Sequence, residues 1–168
     1  FGESVKTLAG MNGLSEEECY KKLASMYDGY HFCEDSIGVY NPFSLLNTFD
    51  ANKFRMYWFE TGTPTFLVRY LKQGNYNLDN ISKNDVSVET LTGSNYVSPA
   101  PITLMYQAGY LTIKDFNPDF FTYNLDYPNE EVKRGFLHSL SQLFAPALIG
   151  GDLSVYQFVI DIRDGNTK

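Results

Sequence analysis

The spacing of apolar residues changes once along this chain, after Gly109, and the change limits which folds are open to it. Before that point apolar side chains recur every three or four residues behind recognisable helix starts. After it come two short runs rich in β-branched and aromatic residues, Tyr110-Leu111-Thr112-Ile113 and Phe120-Phe121-Thr122-Tyr123-Asn124-Leu125. A period of 3.6 suits a helix and a run of β-formers between turn signals suits a strand. Residues 115–119, with Asn117-Pro118, supply the turn between the two runs. The expected fold class is therefore α+β and predominantly helical, with one β-hairpin.

The helix starts are local and chemical. Ser15-Glu16-Glu17-Glu18 has the form of a capping box, and Tyr20, Leu23, Ala24 and Tyr27 follow at helical spacing, which predicts a helix over 15–26. Asp28-Gly29 ends it, and Tyr30-His31-Phe32 reads as a short extended or turn stretch. Asn41-Pro42 reads as N-cap and first helical residue of a helix carrying Phe43, Leu45, Leu46 and Phe49. Thr63-Pro64 opens another with Phe66, Leu67, Tyr70 and Leu71, stopping at Gly74. A weaker helical stretch covers 83–91, with Val86, Val88 and Leu91. Ser98-Pro99-Ala100-Pro101 leads into Ile102, Leu104, Met105 and Tyr106, stopping at Gly109. Beyond the hairpin, Tyr127-Pro128-Asn129 caps a helix with Val132, Phe136, Leu137, Leu140, Leu143 and Phe144 on one face. Gly150-Gly151-Asp152 breaks the chain, and 153–162 reads as a helix begun. Three helices followed by a two-stranded hairpin is the order of a winged helix, here residues 61–127.

Hydrophobic residues make up 43% of the 168 and charged residues 20%, which is enough to bury a core. Thirteen basic residues against twenty acidic ones, scattered along the chain, form no phosphate-binding stripe. Nucleic-acid binding by this piece alone is disfavoured. Cys19 and Cys33 make no disulfide framework, and no apolar run approaches the roughly 20 residues of a membrane span. Phe1 is not an initiator Met, and no signal peptide follows it. The expectation is a cytoplasmic protein with free thiols, cut from a longer chain.

Candidate chemistry is sparse. Triphosphate chemistry needs a glycine turn bearing a lysine, and no Gly-Lys pair occurs. Phe158-Val159-Ile160-Asp161-Ile162 imitates an apolar strand ending in a metal-holding Asp, but without a phosphate cradle it reads better as a helix. Pro118-Asp119 with Glu131-Val132-Lys133 imitates a metal-dependent nuclease signature. That chemistry wants Glu131 and Lys133 on a strand, whereas they follow Asn129 at a helix start, where the helix dipole favours acids without any catalytic purpose. Cys19, His31 and Cys33, with His138 far along the chain, lack the paired spacing of a zinc site. No Gly-x-Ser-x-Gly elbow occurs. Tyr27, Tyr30, Phe32, Tyr40, Tyr57 and Trp58 would suit a carbohydrate or peptide groove, but their spacing favours packing.

The segments Met26-Tyr27-Asp28-Gly29-Tyr30-His31-Phe32 and Val39-Tyr40-Asn41-Pro42-Phe43-Ser44-Leu45-Leu46 resemble the C-terminal half of a bacterial family of predicted AAA-ATPase-like proteins. Tyr57-Trp58 with Thr61-Gly62-Thr63-Pro64, then Tyr106-Gln107-Ala108-Gly109-Tyr110-Leu111-Thr112-Ile113, then Tyr127-Pro128-Asn129-Glu130-Glu131-Val132-Lys133 continue the resemblance in order. The resemblance implies an upstream P-loop core, which alone would bind ATP and Mg²⁺, and a downstream PD-(D/E)XK nuclease-like domain. It divides this chain into a helical lid-like region (1–60), a winged-helix-like region (61–127) and C-terminal helices (128–168). This chain itself would hold no cofactor and act as a non-catalytic regulatory or structural piece, its partners being other domains of the parent or another protein. The alternative is a nucleic-acid-binding winged helix, yet residues 101–108, which would enter the groove, contain no Lys or Arg. Tyr27, Asp28, Gly29, Tyr30, His31 and Phe32 would face the nucleotide or neighbouring domains. Equally, Gly29 supplies only a turn with positive φ, locked by the aromatics. Neither Arg55 nor Arg69 is singled out as a nucleotide sensor.

Overall fold

A computed structural model describes residues 1–33, 35–60, 65–73, 84–92 and 100–144. The elements are α1 (Gly2–Asn12), α2 (Glu16–Tyr27), α3 (Pro42–Ala51), α4 (Tyr57–Glu60), α5 (Thr65–Gln73), β1 (Asn84–Ser87), α6 (Val88–Thr92), α7 (Pro101–Gln107), β2 (Thr112–Asn117), β3 (Thr122–Asp126) and α8 (Glu130–Phe144). The fold is α+β and mostly helical, with one small antiparallel sheet in the order β1-β3-β2.

Side chains close to α2, α3 and α8 set their starts. Ser15 Oγ accepts the Glu18 N–H at 3.2 Å while Glu18 Oε2 accepts the Ser15 N–H at 2.8 Å, the reciprocal box that opens α2. Asn41 Oδ1 accepts the N–H groups of Phe43 and Ser44, with Pro42 in the first turn of α3. Asn129 Oδ1 accepts the Val132 N–H at 3.1 Å and starts α8. α1 has no side-chain cap at Phe1 and stops at Gly13, whose φ of 65° an L-residue resists.

Two cores form. Val5, Leu8 and Ala9 of α1 meet Cys19, Leu23 and Tyr27 of α2 and Leu45 of α3. Leu67, Val68 and Leu71 of α5, Val86, Leu91, Met105, Leu111, Ile113 and Leu125, and Val132, Phe136 and Leu140 of α8 make the second. Burying each such side chain contributes roughly 1.5–3 kcal/mol, so the periodic faces organise each cluster.

Several sequence expectations need correction. Residues 84–87 are a strand rather than part of a helix. Val86 points inward opposite Tyr123, and Asp85 points outward to accept from Asn124 Nδ2 at 3.2 Å. The hairpin is thus part of a three-stranded sheet. Its strands begin at Thr112 and Thr122, and Phe120 and Phe121 occupy the exposed turn instead of opening β3. On α3 the buried residues are Ser44, Leu45 and Thr48, with Leu46 exposed; on α5, Phe66 is exposed and stacks beside Tyr70. The starts at Thr63-Pro64 and Ser98-Pro99, the stop at Gly74, the break at Gly150-Gly151-Asp152 and the helix over 153–162, with its Asp161, lie outside the described residues.

β2 carries one extra residue. Ile113 pairs with Leu125 and Asp115 with Asn124, so Lys114 has no partner on β3. Such a bulge re-aims a side chain.

Candidate functional site

The segment Tyr27–Phe32 leaves α2 and runs between the two cores. Tyr27 is fully buried; its hydroxyl donates to the Arg55 carbonyl at 2.9 Å and accepts the Arg55 N–H at 3.1 Å. That fastens the end of α2 to the loop before α4. Asp28 Oδ1 accepts the Gly29 N–H at 2.7 Å. Gly29 has φ of +102°, and a Cβ there would run into the Pro128 carbonyl. The close approach of two backbones requires glycine.

Tyr30 pairs with Val39 through two backbone hydrogen bonds of 3.3 and 2.9 Å. Burial pushes its phenol well above the usual tyrosine value, with Glu131 adding and a hydrogen bond to Asn41 opposing. The His31 N–H donates to Thr112 Oγ1 at 2.7 Å, and the Thr112 hydroxyl donates to the His31 carbonyl at 3.0 Å. The His31 ring is committed as well: Nδ1 lies 2.7 Å from the Ser36 carbonyl, so Nδ1 carries the proton. Phe32 departs from the group, with 78% of its surface exposed.

Lys114, the bulge residue, reaches from β2 to donate to the Gly29 carbonyl at 3.2 Å and the Pro128 carbonyl at 3.3 Å. Partial burial lowers its ammonium below the usual lysine value, while Asp126 and Asp28 pull the other way. Five of the six segment residues therefore lie in a seam joining α2 to β2 and to the start of α8.

Glu131 lies in the same seam. It is in the first turn of α8, as the cap implies, but the dipole alone does not account for it, because it is fully buried. Oε1 accepts the Ser44 hydroxyl from α3 and the Trp58 N–H from α4, each at 2.9 Å; among the described residues Oε2 has no partner. Burial raises its pKa, the two hydrogen bonds oppose that, and Glu60 adds to the rise. Neither Asp119, exposed in the hairpin turn, nor Lys133 is bonded to it, so the nuclease-like pattern is not assembled.

Trp58, Phe59, Tyr110 and Phe136 pack together. The Trp58 ring centroid is 5.2 Å from that of Phe59 and 5.1 Å from that of Tyr110, which is itself 5.2 Å from Phe136. Phe59 covers Gly135 of α8, where a Cβ would strike the ring. Cys19 is buried, which raises its thiol pKa, and Cys33 is exposed; both are free. Among the described residues no group of three His, Cys, Asp or Glu side chains could hold a metal, and no helix is long and apolar enough to cross a membrane.

The sequence singled out the Tyr27–Phe32 segment but gave no sign that Thr112 and Lys114 bond to it, or that Ser44 and Trp58 converge on Glu131. One signal was present for the bulge: Ile113 and Phe116 are three apart, with Lys114-Asp115 between, where an unbroken strand alternates by two.

No protein-family model matches the chain, and no solved structure matches it. Over 139 residues, 80% of its length, it is 37% identical to an uncharacterized protein in the vnfD 5′ region of Azotobacter chroococcum mcd 1. The chain spans 25% of that protein's length.

Proposed function

We propose that this chain is a non-catalytic regulatory and structural module of a larger, AAA-ATPase-like protein, with a helical lid-like region before residue 61 and a winged-helix-like region over 61–127. The observation that carries this reading is the seam. The loop after α2 is bonded to Thr112 and Lys114 of the sheet and abuts Pro128 at the start of α8. Movement of the first helices would therefore be passed on to the sheet, as a part that couples neighbouring domains requires.

The element order α5-β1-α6-α7-β2-β3, with sheet order β1-β3-β2, supports the winged-helix-like description. It does not favour groove insertion. α7, the helix that would enter DNA, reads Pro-Ile-Thr-Leu-Met-Tyr-Gln with no Lys or Arg. Beyond its end, Gly109 lies close to the Tyr30 and Trp58 rings, at the seam. The ATPase part of the reading draws on the ordered motif resemblance alone; the relative, of which the chain spans 25%, is itself uncharacterized.

Calorimetry with ATP and Mg²⁺ on the purified chain is expected to show no binding, and a low-salt gel shift with duplex DNA no complex. The encoding reading frame is expected to carry a Gly-Lys-Ser/Thr loop upstream of Phe1. ATP hydrolysis by this piece would end the proposal. Tight, salt-sensitive DNA binding would replace it with the nucleic-acid reading.

A further inference from the structure

Glu131 is the one acidic side chain buried among the described residues. A carboxylate withdrawn from water needs donors on both oxygens or a nearby cation. Here both donors from the described residues converge on Oε1, the Ser44 hydroxyl and the Trp58 N–H, and Oε2 receives none from them. The ion pairs among the described residues, Lys21–Glu17 and Arg134–Glu130, do not include it. Among the described residues the titratable groups facing it are Tyr27 at the end of α2, Tyr30 in the following loop and Glu60 of α4. None of them supplies positive charge, and α3 contributes the non-ionising Ser44. The neutral acid resolves this arrangement: Oε1 stays an acceptor for both donors, and the proton on Oε2 removes the uncompensated charge.

We propose that Glu131 is a proton-gated latch: as the neutral acid it ties α3 and α4 to the first turn of α8, and its ionisation loosens that three-way junction. The seam between the first helices and the sheet unit is then tightest in mildly acidic conditions. This goes beyond the scaffold reading and stands whether or not the parent is an ATPase.

The sign follows from burial, which raises the folded-state pKa above the ordinary 4.5. The unfolded chain releases its proton first as pH rises. The contribution is complete below 4.5 and is lost progressively as pH climbs through the raised folded value, after which the loss stops growing. Inside that window the folding equilibrium constant falls by up to about tenfold per pH unit.

Glu131→Gln keeps an acceptor at Oε1 and cannot ionise. Urea denaturation of both chains over pH 4–8 isolates the effect from other titrating groups. The ratio of wild-type to variant folding constants is expected to fall with pH and then level off; a constant ratio overturns the proposal. Should the variant not fold, ¹³C NMR of the Glu131 carboxyl in the unaltered chain gives the midpoint directly, which is expected above 4.5. Hydrogen exchange at the Trp58 amide is expected to lose protection across the same midpoint. A midpoint at or below the ordinary value, or unchanged Trp58 protection across a raised one, would each refute the latch.

Discussion

Replacing Gly29 with alanine probes the seam where two backbones approach most closely. With φ at +102°, an L-residue carries a conformational penalty of about 1–2 kcal/mol. Its Cβ would also meet the Pro128 carbonyl, a backbone atom that cannot rotate aside, so the loop must back away from the start of α8. Lys114 spans that gap with bonds of 3.2 and 3.3 Å to the two carbonyls, and both cannot survive a wider separation. Losing one costs about 1 kcal/mol. The sum, about 2–3 kcal/mol, lowers the folding equilibrium constant by roughly 30- to 150-fold. Urea denaturation followed by fluorescence reads it well, because Trp58 is the single tryptophan and packs against Phe59 and Tyr110 beside this seam. Gly10→Ala in α1 is the control: among the described residues nothing beyond its own helical turn lies within 4 Å of its Cβ, and it should stabilise by about 0.5–1 kcal/mol. If Gly29→Ala stays within about 0.5 kcal/mol of wild type while the control behaves, the backbone approach does not hold the regions together.

Gly135→Ala should overpack the contact with Phe59, destabilising by about 1–3 kcal/mol and shifting the emission of the adjoining Trp58; wild-type stability and spectrum would argue against the Phe59 placement. Tyr27→Phe removes the hydroxyl that serves both the N–H and the carbonyl of Arg55, and a loss of about 1–2 kcal/mol in thermal denaturation is expected, with an unchanged midpoint counting against it.

The parts legible in the sequence were those whose causes are local. Ser15 with Glu18, Asn41 with Pro42, and Asn129 before Val132 each act within one turn, and the helices start where those residues place them. α1 escaped because Phe1 offers no side-chain cap and two glycines interrupt its pattern, although Val5, Leu8 and Ala9 keep helical spacing. β1 has one inward apolar residue, Val86, and only β3 makes it a strand. The Tyr27–Phe32 cluster was visible as a cluster. Its partners were not, since Thr112 is 81 residues from His31 and Lys114 is 85 from Gly29. Glu131 shows the same limit: its first-turn position was readable, but its donors come from 87 and 73 residues earlier in the chain.

The unmatched residue in β2 has a separate implication for how such a chain can vary. Deleting Lys114 would leave Ile113 opposite Leu125 and Asp115 opposite Asn124, so the ladder would close up with every remaining couple intact. What would vanish is the amine that clasps Gly29 and Pro128. A single-codon loss would therefore remove one tie between the sheet and its neighbours, leaving the His31–Thr112 pair as the other, without disturbing the sheet itself.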